Sequence, residues 1–153
     1  MSALELKIPP VLITSLFALL MWLVSRLTPA APISPALKII CLLVFTGLAA
    51  YVGLAAVALF RKANTTVNPL TPGSISSLVV SGIFRRTRNP MYLALLLALT
   101  GWGLYLANIF SLLVAIGFVI YINRFQIQPE ERILEEIFGP EFHDYKNQVR
   151  RWI

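Results

Sequence analysis

The chain has 153 residues, of which 58% are hydrophobic and 20 are charged. That length suits one domain, spanning residues 1–153, but the apolar runs are longer than a soluble core of this size can hide. The net charge of +6 sits beside those runs, so it reads as cations flanking membrane spans and argues against a nucleic-acid partner. Cys41 is the only cysteine, which excludes an internal disulfide and a thiolate metal cluster; inside an apolar run it reads as a packing residue.

The first apolar stretch runs from Val11 to Leu27 behind Pro9-Pro10, with Arg26 near its end able to snorkel to the interface. A cleaved signal peptide is the rival for this stretch. Against it, Lys7 is balanced by Glu5, and Ser25-Arg26-Leu27 is a poor cleavage site. The second stretch, Ala36 to Phe60, predicts a helix of ~37 Å, enough to span the hydrocarbon core with some tilt. Gly47, Ala49, Ala50, Gly53, Ala55 and Ala56 give it small side chains that let another helix backbone come close.

Residues 91–123 hold no ionisable charge except that of tyrosine. A tight hairpin turning at Asn108 is predicted, with helices Met91–Ala107 and Ile109–Asn123 of ~22–26 Å each. Gly101-Trp102-Gly103, inside the first of these, reads as a packing notch. The sequence thus predicts an all-α integral membrane protein of about four transmembrane helices.

The charges support an even number of spans. With the N-terminus on one side, eleven of the 13 Lys and Arg residues fall on that side, and only Arg26 and Lys38 on the other. The positive-inside rule makes the rich side cytoplasmic and puts both termini there.

Two further segments lie on that side. The loop from Arg61 to Asn89 is rich in Ser, Thr, Asn, Pro and Gly, and loops of that length are commonly functional. Beyond Arg124, Pro129 with Glu130 and Glu131 suits a helix start. Ile133, Leu134, Ile137 and Phe138 form its apolar face, and Gly139-Pro140 ends it. A second short helix carries Phe142, Tyr145, Val149 and Trp152 on one stripe, with Lys146, Arg150 and Arg151 expected at lipid headgroups.

Familiar site types are missing from the sequence. His143 is the only histidine, so no metal triad of the usual kind is predicted. No nucleotide-binding glycine fingerprint and no Ser/His/Asp arrangement stands out. What remains is a polar cluster at the cytoplasmic ends of the spans: Arg88-Asn89-Pro90-Met91-Tyr92, Arg124, Glu130-Glu131, His143 and Tyr145. Each member also has a purely structural reading. Asn89 and Pro90 suit a helix start, the arginines suit topology, and the glutamates suit a helix N-terminus. Convergence singles the cluster out, because a tight hairpin begins near Tyr92 and ends near Arg124, with Glu130 expected one short turn further on.

Asn64-Thr65-Thr66-Val67-Asn68-Pro69, Leu78-Val79-Val80-Ser81-Gly82-Ile83-Phe84 and Arg88-Asn89-Pro90-Met91-Tyr92 stand in that order before the uncharged hairpin. Arg124, Glu130-Glu131, Leu134, Phe138-Gly139, Phe142, Tyr145 and Val149 follow it. This order resembles the isoprenylcysteine carboxyl methyltransferase and phospholipid methyltransferase superfamily, over residues 61–153. Asn89 stands where the family motif usually has histidine, which bears on any role needing an imidazole.

The resemblance implies S-adenosylmethionine as cofactor and a lipophilic acceptor, such as an isoprenylcysteine carboxylate, a phospholipid or a thiol. It implies a cofactor pocket lined by Arg88, Asn89, Pro90, Tyr92 and Glu131, with His143 and Tyr145 near its end, and Arg124 and Glu130 at the reacting centre. The chemistry is compatible: arginine grips a carboxylate, glutamate an ammonium, and an aromatic ring faces a sulfonium. Two other functions stay open. Sterol reductases using NADPH share a similar C-terminal region, although Leu93-Ala94-Leu95 follows Tyr92 where that branch has a Gly-Glu pair. A non-catalytic membrane scaffold with the same fold is the third reading.

Overall fold

A computed structural model describes residues 5–63 and 77–153. Asn64 to Pro69, part of the family-like motif, therefore lie outside the described residues. The described chain is helical: α1 (Pro10–Leu27), α2 (Pro35–Lys62), a 3₁₀ turn (Gly82–Arg85), α3 (Pro90–Leu106), α4 (Ile109–Ile122), a π-helical turn (Asn123–Ile127), α5 (Gln128–Phe138) and α6 (Pro140–Gln148).

Sequence dictates most of these boundaries. A proline opens each of α1, α2, α3 and α6, where its fixed φ suits the first turn and its missing N–H costs nothing. Ser34 caps α2, its hydroxyl accepting from the Leu37 N–H at 3.3 Å. Gly139 closes α5 at φ +50°, a conformation that side chains other than glycine's rarely adopt.

The hairpin turns where the sequence places it. Ala107 is left-handed, and the Asn108 carbonyl oxygen Oδ1 accepts from the Ser111 N–H at 2.9 Å to start α4. Asn108 Nδ2 donates to Thr28 Oγ1 at 2.8 Å and Pro29 O at 3.2 Å, tying this turn to the α1–α2 connection. A buried amide satisfied on both sides fixes the geometry at this end of the molecule.

Helix α2 packs chiefly on α3, and α1 on α4 and α3; α1 and α2 make no extended contact among the described residues. Small residues set these distances. A methyl at Gly101 would lie 2.7 Å from Phe45 Cβ, and one at Gly103 would lie 2.6 Å from Leu112 Cδ2. Gly101-Trp102-Gly103 is thus the packing notch that the sequence predicts. Trp102 Nε1 donates to Ala18 O at 3.1 Å, and Ser111 Oγ to Met21 O at 2.7 Å, so α1 is also held by polar bonds. Around these bonds Ile13, Met21, Leu99, Phe118 and Ile122 form the main core.

Among the described residues, three helices are long and apolar enough to cross a membrane: Pro10–Leu27, Pro35–Lys62 and the run Ile109–Phe138. Helix α3 is a shorter apolar partner. Large apolar side chains point outward along them, among them Val11, Leu54 and Ile120, as a lipid-facing surface requires. The molecule is an all-α integral membrane protein.

One element differs from expectation. Instead of a short turn between Arg124 and Glu130, the helix continues through a π-helical turn into α5. Pro129 has no N–H for the carbonyl of Phe125 and would crowd it in a regular helix. Widening the turn accommodates the proline without ending the helix.

Candidate active site

The segment 5–9 crosses the π-helical turn as a strap. Leu6 N–H donates to Phe125 O at 3.0 Å, the carbonyl whose regular helical partner would be residue 129. Gln126 Nε2 donates to Ile8 O at 2.9 Å. Buried Glu5 pairs with Arg132 at 2.8 Å and, more loosely, with Arg124 at 3.5 Å. Leu6 has φ +58° and a buried side chain, so the strap holds a strained conformation against the bundle.

Strap, α1, α2, α3 and the π turn with the start of α5 line a half-open cavity of about 670 Å³. Its walls are mostly apolar, including Ile8, Val11, Leu54, Val57, Phe84 and Leu95. Among the described residues, the polar and charged side chains lining it are Lys7, Arg88, Asn89, Tyr92, Gln126 and Glu130. Tyr92 O–H donates a hydrogen bond to Glu130 Oε1, joining the start of α3 to that of α5. The pair brings together two residues 38 apart in sequence.

Behind this wall stands a buried ion cluster. Glu131 accepts from Arg88 Nη2 at 2.8 Å and from Arg151 Nη2 at 2.6 Å. Arg88 Nη1 also donates to Lys146 O at 3.1 Å and to Val149 O. Arg88 Nε is buried and has no hydrogen-bond partner among the described residues. The Asn89 side chain does not cap α3; its Nδ2 donates to Arg151 O at 3.0 Å, while Thr87 Oγ1 accepts from the Asn89 N–H at 3.1 Å. Arg88 and Asn89 therefore clamp the C-terminal segment. Trp152 Nε1 completes the attachment by donating to Asn123 Oδ1 at 3.1 Å.

Not every residue singled out in the sequence reaches the cavity. Arg88, Asn89, Pro90, Tyr92 and Glu130 line it; Arg124, Glu131, His143 and Tyr145 do not. The Arg124 side chain is 52% exposed, turned toward Glu5 with its guanidinium 5.8 Å from the Phe125 ring centre. His143 is exposed on α6. Tyr145 is buried and its hydroxyl donates to Phe84 O at 2.7 Å; that burial raises its pKa above the ordinary tyrosine value. Arg151 and Lys146, expected at headgroups, are paired with Glu131 and Glu135.

Lys7, Gln126 and the Glu5 anchor escape sequence reading. Lys7 and Glu5 look like an unremarkable balanced pair before a span, and Gln126 acquires meaning only once the helix is seen to run through it.

The Haemophilus influenzae protein carrying the name "Uncharacterized protein" is 51% identical over 63 residues, which are 41% of this chain and 100% of that protein. The family model described as phospholipid methyltransferase matches residues 37–141, from the start of α2 to the start of α6. Helices α3 and α4, nearly all of α2, the Arg88 to Tyr92 segment and the Glu130-Glu131 pair lie within that matched region, and the chain belongs to the phospholipid methyltransferase family.

Proposed function

We propose that this protein transfers a methyl group from S-adenosylmethionine to a lipophilic acceptor at the cytoplasmic face of the inner membrane. The observation that carries this reading is the cavity of about 670 Å³, apolar in its walls but holding the Tyr92–Glu130 pair. Small-molecule sites have this character: a large apolar enclosure with a few placed polar groups.

The residues present fit the cofactor. Glu130 keeps Oε2 for an ammonium, because the Tyr92 bond occupies Oε1. The Tyr92 ring suits a sulfonium. Arg88 Nε is a buried donor with no partner among the described residues, matched to a carboxylate oxygen, whereas both Nη atoms are already engaged. Asn89 offers Oδ1 as an acceptor. When bound, S-adenosylmethionine supplies an electrophilic methyl on positively charged sulfur. Apolar walls exclude water from the reacting groups, and fixed side chains align them. An anionic acceptor needs no base; an amine must lose a proton, which the Glu130 carboxylate can take.

Arg124 then acts indirectly, holding the strap through Glu5. A lipophilic acceptor enters between α1 and α2, where Val11 and Leu54 line the cavity and are also 66% and 70% exposed. The eleven-of-13 cation bias supports cytoplasmic termini.

The test is incubation of the purified protein with methyl-labelled S-adenosylmethionine and total membrane lipid, followed by identification of the labelled product. Label in the lipid fraction is expected. No label in any lipid or lipophilic thiol, or thermal stabilisation by NADPH in place of S-adenosylmethionine, overturns the reading.

A further inference from the structure

Three charged residues line the cavity, and two of them are engaged. Glu130 accepts from Tyr92, and Arg88 is held by Glu131 and the C-terminal carbonyls. Lys7 has no hydrogen bond or ion pair with any described residue, and it is exposed. Its backbone is nevertheless fixed on both sides: Leu6 is bonded to Phe125 O, Ile8 accepts from Gln126, and Glu5 is paired with Arg132. The fold thus holds the backbone of a lysine in place and leaves its ammonium without a partner among the described residues.

Two features beside Lys7 bear on what it meets. Helix α1 begins three residues later with no acidic residue in its first turn, so the positive end of its dipole is not offset there. Val11, in that same turn, lines the cavity and is largely exposed on the apolar surface. A ligand reaching this side from the bilayer meets apolar wall and positive potential together. An ammonium at an apolar rim is matched by an amphiphile whose headgroup bears an anionic oxygen.

We propose that Lys7 is a specificity-determining residue that pairs with an anionic headgroup oxygen of an amphiphile entering the cavity from the bilayer. The inference rests on the acceptor reading of the cavity given above. The cofactor's own carboxylate is the other source of such an oxygen, and the experiment separates the two.

The test measures melting of the protein in a neutral detergent with 1,2-dihexanoylphosphatidic acid, 1,2-dihexanoylglycerol or S-adenosylhomocysteine. Wild type, Lys7→Gln, Lys7→Arg and, as a distant control, Lys38→Gln are compared. Phosphatidic acid, but not the uncharged glycerol, is expected to stabilise wild type, Lys7→Arg and Lys38→Gln. Lys7→Gln should need about fivefold more phosphatidic acid for the same shift, the size of a partly screened ion pair. Its response to S-adenosylhomocysteine should be that of wild type. An unchanged phosphatidic acid response in Lys7→Gln overturns the proposal, as does a wild type that does not distinguish the two lipids. Loss of the S-adenosylhomocysteine response in Lys7→Gln, with the lipid response intact, overturns it in favour of the cofactor carboxylate. If S-adenosylhomocysteine stabilises no variant while the lipid responses are as expected, Lys7 keeps its role and the methyltransferase reading falls.

Discussion

The backbone N–H of Leu6 donates to the carbonyl of Phe125 at 3.0 Å, across 119 residues of chain between the ion-paired neighbours Glu5 and Arg124. Phe125 is available because residue 129 is proline, which cannot supply the regular helical hydrogen bond. One proline therefore widens the helix and frees the group that docks the strap. Pro129→Ala restores a competing N–H. Amide exchange at Leu6 is expected to quicken by about fivefold, the worth of one net hydrogen bond of ~1 kcal/mol. Hydrogen exchange read by mass spectrometry over residues 5–9 checks this, and unchanged protection there counts against the coupling.

Glu131 joins two arginines, and its side chain is 10% exposed beside an Arg88 that is 11% exposed. Removing the carboxylate leaves the guanidinium groups uncompensated. Glu131→Ala should destabilise by about 3 kcal/mol, at the low end for a broken buried pair because Arg151 is 33% exposed. Arg88→Met should cost a similar amount, and the double variant should cost much less than the two together. Denaturation in detergent measures all three. Additive losses would mean that the two residues do not act as one pair.

The four apolar helices, the Asn108 turn and the glycine notch were legible because each has a local cause: an uncharged run, an amide beside a left-handed residue, or a missing side chain at a close approach. Tyr92 and Glu130 were also legible as neighbours, since a hairpin must return α4 to the start of α3. The placement of Arg124 outside the cavity was not. It depends on whether the chain turns or continues after residue 123, and a π-helical turn rotates the following side chains relative to a regular helix. Arg151 read as a surface cation because nothing in its own neighbourhood shows that Glu131, twenty residues earlier, is buried against it.

Topology gives a third prediction. In a Cys41→Ser background, Ser77→Cys and Asn147→Cys should react with an impermeant thiol reagent only from the cytoplasmic side. Ala31→Cys, exposed in the α1–α2 connection, should react only from the opposite side. Labelling of Ser77→Cys from outside would remove the basis for cytoplasmic termini.

The last prediction separates Glu130 from Arg124. Glu130 lines the cavity and is held by the Tyr92 hydroxyl, whereas Arg124 lies outside the lining and pairs with Glu5 of the strap at 3.5 Å. Arg132 makes the closer contact to Glu5, at 2.8 Å, so the strap keeps an anchor when Arg124 is altered. Glu130→Gln keeps the side-chain shape but loses the charge suited to an ammonium or a departing proton. Methyl transfer should fall by ~10²-fold, typical of a misplaced positioning or proton-accepting group. Tyr92→Phe removes the hydroxyl that orients Glu130 and should fall by a similar factor. Because both act through one hydrogen bond, the double variant should be little worse than either alone. Arg124→Lys keeps a cation near Glu5 and should lose less than about tenfold, the result of a loosened strap with the reacting groups intact. Rates of labelled-methyl transfer, measured beside melting temperatures, decide the matter. A larger loss for Arg124→Lys than for Glu130→Gln, at equal stability, would return Arg124 to the reacting centre and require the strap to move before the acceptor binds.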